Sequence, residues 1–373
     1  MRLLDTVLLS ALQGLTEVLP VSRSGHGAVA RLWLTSDEGA LTLEGVLQLS
    51  TAAAAAIAAS RMRPARIAAA VVPAPPMVAC RRRVSPEGQA YMVRTAPDAN
   101  YPEENPIDRE MGYIVFEELG GKPLAVLFNF GCHNNMVGRV LSADMFGRAG
   151  EVLREKLGDV ATVSLAAPCG DVSFMGLDGK KLVSDEHAAG RAIAGAILES
   201  FPKVERSEPR AVHVSSVVRR IPDRPYDPAD FVYDQGRGSS PAALAFHKLR
   251  YEPEEAAVRV RGQTYCDVEI QAIAIGSVAI VTNPAELFSI FGLTIRRQSP
   301  FPVTIVSELT NGYCGYVPTR QSFKHGGYET YRTVYTSRLA KDAGDQIVDI
   351  SLEVLRAVQT QQATGKPTRD DAR

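Results

Sequence analysis

The sequence predicts a mixed α/β domain preceded by a short, all-α, Ala-rich segment of membrane type. Three observations predict it. Charged residues are sparse before about residue 80, where the run 51–59 is almost pure small apolar residue, and ordinary in number afterwards. From about residue 110, short apolar runs bounded by Gly, Pro, Asn and Asp alternate with longer amphipathic ones, as strands alternate with helices. With 373 residues, 45% hydrophobic and 22% charged, the chain is long enough for more than one packed core. The division that follows is an apolar helical segment at 1–78, an α/β domain at 79–358 and a polar, disordered tail at 359–373.

In the first segment, 3–19, 41–59 and 67–72 each read as helix. Arg61, Arg63, Arg66 and the run Arg81-Arg82-Arg83 stand just outside two of them, as basic flanks do beside membrane helices. Only 41–59 approaches the roughly 20 residues that cross a bilayer. Membrane association is therefore expected, while a buried Ala-rich helix of a soluble protein stays open as the other reading. Pro73, Pro75 and Pro76 end any helix and act as a stiff connector. In the α/β part, 111–117 and 124–130 read as strands around the turn Gly120-Gly121-Lys122-Pro123, 144–157 as an amphipathic helix, 161–166 as a strand and 185–201 as a helix. Strands follow at 212–219 and through 268–281, and a helix at about 339–358.

The formal net charge of -1 leaves no basic footprint, so nucleic acid is not an expected partner. Five cysteines, Cys80, Cys132, Cys169, Cys266 and Cys314, are widely spaced without any C-x-x-C pair, which speaks for isolated thiols rather than a disulfide framework or zinc knuckle. No secretory signal is obvious, because Asp5, Gln13 and Glu17 interrupt what would be its apolar core, and export is left open.

Chemistry-bearing residues fall in two regions. Between Leu12 and His26 a carboxylate, hydroxyls and an imidazole surround a Pro-Gly turn in apolar surroundings, and polar groups there are costly enough to suggest a task such as phosphoryl transfer. The stretch resembles the first signature of the undecaprenyl-diphosphate phosphatase family of membrane enzymes. Gln13, Glu17, Ser22, Ser24 and His26 match it, and 43–63 resembles the helix that follows. Arg23 stands where that family has the middle serine of a triplet, and its second, Pro-Gly-x-Ser-Arg-Ser signature has no counterpart here. The resemblance covers about the first 70 residues. It implies membrane lipid pyrophosphate hydrolysis as one possible activity.

In the α/β part, reactive residues gather just after strands, where α/β proteins commonly build sites. They are Asn129-Phe130-Gly131-Cys132-His133, Ala167-Pro168-Cys169-Gly170-Asp171-Val172-Ser173, Asn283-Pro284-Ala285-Glu286, Asn311-Gly312-Tyr313-Cys314-Gly315-Tyr316 and Gly326-Gly327-Tyr328-Glu329. Each alone has a bland reading: a structural histidine, a Gly-Asp turn, an acid favoured at a helix start. In this order, together with Asn105-Pro106-Ile107-Asp108 and Ser142-Ala143-Asp144, they resemble the neutral ceramidase superfamily of zinc-dependent amidases over 81–358.

That resemblance implies a hydrolase-like domain with His133, Glu286 and Tyr316 as zinc ligands, Ser173 as the active-site serine and Tyr328 contacting the substrate oxygen. Zinc would polarise a carbonyl and activate water, and the substrate would be a lipid or an N-acyl small molecule. The family also draws zinc ligands from a His-x-His motif. No such motif occurs among His26, His133, His187, His213, His247 and His325, so the amidase is expected to be impaired. A membrane-tethered domain that binds without catalysis is the non-enzymatic alternative.

Overall fold

The computed structural model describes residues 62–365, apart from 94–95, 99, 139–141, 177, 210, 232–240 and 334–335. The helices expected at 3–19 and 41–59, the motif residues Gln13, Glu17, Ser22, Ser24 and His26, and the end of the tail from 366 lie outside the described residues.

Strand β1 (Ala65–Pro73) is followed by the short strands β2 (Ala79–Cys80), β3 (Arg82–Val84) and β4 (Ala90–Met92), then by β5 (Glu110–Glu118) and β6 (Pro123–Phe130). Helix α1 (Asp144–Leu157), strands β7 (Ala161–Ala166) and β8 (Val172–Ser173), helix α2 (Glu186–Ser200) and strand β9 (Arg206–Ser207) complete the first half. The second half runs β10 (Val212–Pro222), α3 (Pro241–Val260), β11 (Tyr265–Ile275), β12 (Val278–Thr282), β13 (Glu286–Leu287), α4 (Ser289–Gln298) and β14 (Val303–Ser307). It ends with β15 (Tyr316–Val317), α5 (Arg320–His325) and α6 (Ala343–Thr364).

Two sheets carry the architecture, one in the order β7-β6-β5-β1-β9 and one in the order β10-β11-β12-β14. Side chains alternate across each strand, so each sheet has two apolar faces to cover. The inner faces meet through Ile67, Ile114, Leu165, Val278, Ile280 and Ile305. The outer face of the first sheet, with Ala68, Val115, Val126 and Phe128, packs on Met145, Leu153, Ile193 and Ile197 of α1 and α2. The outer face of the second, with Ile270, Ala272 and Val281, packs on Ile295, Ile347 and Leu355 of α4 and α6. The result is a four-layer stack, helix on sheet on sheet on helix. Each fully buried Ile or Leu contributes about 1.5–3 kcal/mol to it. Gly112 belongs at the sheet-sheet contact, because a Cβ there would stand 3.1 Å from Ile305.

The strands expected at 111–117, 124–130, 161–166 and 212–219 and the helices at 144–157 and 185–201 are present. Three readings need correction. Residues 67–72, read as helix, form strand β1, which pairs with β5 along its whole length, from Ala65 opposite Glu118 to Pro73 opposite Glu110, and also with β9. Alanine favours helix only as a weak prior. Here the small side chains fit a strand covered on both faces, and tertiary pairing overrides propensity.

The stretch 268–281 is not one strand but the hairpin of β11 and β12, turning at Gly276 with a φ of 59°. Helix α6 begins at Ala343 and runs six residues past 358, into the expected tail, where Gln361 is buried and donates to the Val214 carbonyl at 3.2 Å while Gln362 donates to that of Gly276 at 2.9 Å. Those amides tie the polar end to the sheet backbone. No described helix is long and apolar enough to cross a membrane.

Candidate active site

Two parallel strand pairs, β6 with β7 and β12 with β14, bring four carboxyl ends to one rim of the stack. The loops leaving them carry the quoted motifs. The Glu308 N–H donates to Ala166 O and the Gly170 N–H to Leu287 O, both at 2.9 Å, while the Asn129 amide donates to Leu165 and Val306 carbonyls, both at 3.1 Å. The two sheets are thus knitted together directly below the site.

Glu286 and Tyr316 are neighbours in register across the β13–β15 pair. The Tyr313 hydroxyl donates to Glu286 Oε1 at 2.7 Å. Burial raises the Glu286 carboxyl above its ordinary range, only partly offset by hydrogen bonds from Tyr316 and Tyr313 and by the charge of Arg81. The His133 ring stands 6.3 Å from that of Tyr316, edge to face, and the Tyr328 ring stands 5.7 Å from Tyr316 on another side. Tyr328 is also the exposed member, at 42%. His133 Nε2 is buried and makes no hydrogen bond. Burial pushes the imidazole down to about 3, and the Arg81 charge pushes the same way, so it is neutral at pH 7.

Ser173 lies apart from this group. It pairs with Ala79 across β2 and β8, its hydroxyl accepts the Met175 N–H at 3.2 Å, and no described hydrogen bond joins it to His133, Glu286, Tyr316 or Tyr328. His325 is not a substitute ligand: its Nδ1 lies 2.7 Å from Glu104 and its Nε2 2.9 Å from Gln321.

The run Arg81-Arg82-Arg83, expected as a membrane flank, is instead internal: Arg82 and Arg83 are 1% and 2% exposed. Arg82 joins Glu104 and Glu329, and Arg81 joins Glu329 at 2.8 Å. Burial would raise the Glu329 carboxyl, but the two guanidinium groups outweigh it and hold it low. The Arg81 guanidinium sits 5.4 Å from the Tyr316 ring centre, donates to the Gly170 carbonyl at 2.8 Å and acts electrostatically on His133, Glu286 and Tyr316. The centre of the site therefore already holds a positive charge.

Sequence reasoning missed Arg81 because a basic run beside an apolar stretch looks like a flank. Tyr313, Glu329 and Asp171 lay inside quoted motifs without an assigned task. Glu308 had no local signal at all. It accepts the N–H groups of Leu287 at 2.8 Å and Cys169 at 3.3 Å and the Cys169 thiol at 3.0 Å, holding β13 against the loop that leads to Ser173.

Comparison with solved structures places this architecture. The neutral ceramidase from Pseudomonas aeruginosa superposes with a TM-score of 0.59 at 16% identity, covering 88% of this chain and 57% of that one. A ceramidase complexed with C2 gives 0.59 at 15% identity, covering 86% and 57%. The fold resembles that of neutral ceramidase. The chain spans little more than half the length of those ceramidases. An undecaprenyl-diphosphatase from Mycolicibacterium gilvum (strain PYR-GCK) is 50% identical over 54 residues, 14% of this chain and 20% of that protein. Both resemblances read from the motifs thus have an independent counterpart. No family model matches the chain.

A zinc ion can be tested against the donors present. The orphaned, neutral His133 Nε2 suits a metal, and Tyr316, in register with Glu286, has its ring beside the imidazole. Yet no group of three or more His, Cys, Asp or Glu side chains able to hold a metal occurs among the described residues. The set present does not close around zinc.

Proposed function

We propose that the chain carries an amide-hydrolase domain of ceramidase type, with an incomplete metal set and therefore impaired turnover, joined to a phosphatase-like membrane segment that precedes β1. The observation that carries this reading is the convergence of His133, Glu286, Tyr316 and Tyr328 at the carboxyl ends of four strands in a ceramidase-like fold. The ligand is a lipid or N-acyl small molecule. Its carbonyl oxygen meets the Arg81 charge and the Tyr316 and Tyr328 hydroxyls, donors suited to a developing oxyanion. Glu286, raised by burial, is the group able to take a proton from water. Ser173 borders the acyl group, and the apolar segment keeps the domain at a membrane.

The test is zinc content by elemental analysis, together with hydrolysis of N-acyl sphingosine by the full chain and by His133→Ala and Glu286→Ala. Substoichiometric zinc with slow hydrolysis, abolished in both variants, is the expected result. Hydrolysis that survives both substitutions overturns the proposal. The 50% identity over 54 residues supports a second reading, lipid pyrophosphate hydrolysis. It requires release of phosphate from a polyprenyl diphosphate that is lost in Glu17→Ala and His26→Ala.

A further inference from the structure

Away from the candidate active site, a cavity of about 190 Å³ opens between the segment after β10, the end of α3 and the residues that precede α6. Five arginines line it, Arg224, Arg259, Arg261, Arg332 and Arg338, against a single acid, Asp223. Three of the five are committed. Arg224 pairs with Asp230 at 2.9 Å, Arg259 with Glu255 at 3.0 Å and Arg338 with Asp223 at 2.8 Å. Arg224 also donates to the carbonyls of Leu339, Thr330 and Ser337. These three build the wall.

Arg332 is different. It is 4% exposed, and its Nε is buried without a hydrogen-bond partner. Its nearest carboxylate, Asp223, lies 3.9 Å away and is already gripped by Arg338 through both oxygens. Glu254 adds an electrostatic attraction. Burial pushes its guanidinium down to about 10, Arg224 and Arg338 push the same way, and it still keeps its charge at pH 7. Arg261, exposed at the mouth, has no ion pair among the described residues. A buried cation without an adequate partner is costly, and a planar guanidinium fork matches a tetrahedral oxyanion.

We propose that this cavity binds a phosphate dianion, held by the buried Arg332 fork and by Arg261 at the mouth. Arg332, held only by a long 3.5 Å contact to the Arg224 carbonyl and a share of Asp223, and the exposed Arg261 together match a double negative charge, which a single carboxylate would leave half balanced. The phosphate is either free or the monoester headgroup of a lipid. The cavity shares none of the candidate active-site residues, so this site stands or falls independently of the amidase reading.

Calorimetric titration of the full chain with inorganic phosphate, and sedimentation with phosphatidylcholine vesicles with and without phosphatidate, test it. One saturable site for phosphate, weakened at least tenfold in Arg332→Gln and severalfold in Arg261→Gln, is expected for the free anion. Vesicle binding that phosphatidate strengthens, with that increment lost in the same variants, assigns the lipid headgroup. Arg261→Gln lies at the surface and keeps the test valid should Arg332→Gln fold poorly. No saturable phosphate binding together with no phosphatidate-dependent increment, or equal values for wild type and Arg261→Gln, overturns the proposal.

Discussion

Removing the charge of Glu329 by Glu329→Gln probes the interior beneath the candidate site. This carboxylate is fully buried and serves both Arg81 and Arg82, whose side chains are 11% and 1% exposed. After the substitution Arg82 still has Glu104, while Arg81 loses its paired carboxylate and keeps the Gly170 carbonyl, Tyr316 and the more distant charge of Glu286. Breaking a buried ion pair by removing one partner costs about 3–5 kcal/mol. Retention of Glu104 holds the loss within that range rather than doubling it. For a domain of this size, that corresponds to a fall in Tm on the order of 10 °C.

The acid side supplies a second readout. Glu329 titrates below its ordinary 4.5 when folded, so the unfolded chain binds more protons between the two values. Its contribution is full above about pH 4.5 and is lost as pH falls through the folded value. Urea unfolding of wild type and variant at pH 7 and across pH 3–5 measures both effects. A loss under about 1 kcal/mol at pH 7, or an unchanged acid limb, would refute the assignment of Glu329 as the shared counter-ion.

Two further outcomes follow from the same geometry. Burial pushes Asp171 up from 3.8 to about 7, so the folded state holds the extra proton. The stability it contributes is complete below pH 3.8 and is lost as pH rises through about 7. Asp171→Asn should remove that slope, improving stability at pH 8 relative to pH 5 by up to about 3 kcal/mol, read from urea midpoints. Gly170→Ala would place a Cβ 2.6 Å from the Glu286 carbonyl oxygen, costing about 1–3 kcal/mol by thermal unfolding. Gly195→Ala in α2, with open space around it, should instead gain about 0.5–1 kcal/mol.

Local pattern alone determined much of the α/β part. Alternating apolar runs such as 124–130 and the amphipathic 144–157 have a period that leaves one workable conformation, and the turn residues around Gly121 mark where they stop. Loops at strand ends, where reactive groups collect, singled out the segments that hold His133, Glu286, Tyr316 and Tyr328, and the resemblance to neutral ceramidases picked out those residues within them. What the pattern could not decide depends on partners distant in the chain. Residues 67–72 are helical by composition and strand by pairing with residues 111–116. Helix α3, with Pro253 inside it, carries a residue that reads locally as a breaker.

Arg81 and Arg82 look like exposed flanks until Glu329, nearly 250 residues on, enters their surroundings. Glu308 takes its role only when residues 169 and 287 close on it. A charge reads as solvated in a sequence because water is the default neighbour. Only the tertiary structure replaces that water with a carboxylate, a guanidinium or a buried N–H, and so decides which polar residues belong to a site.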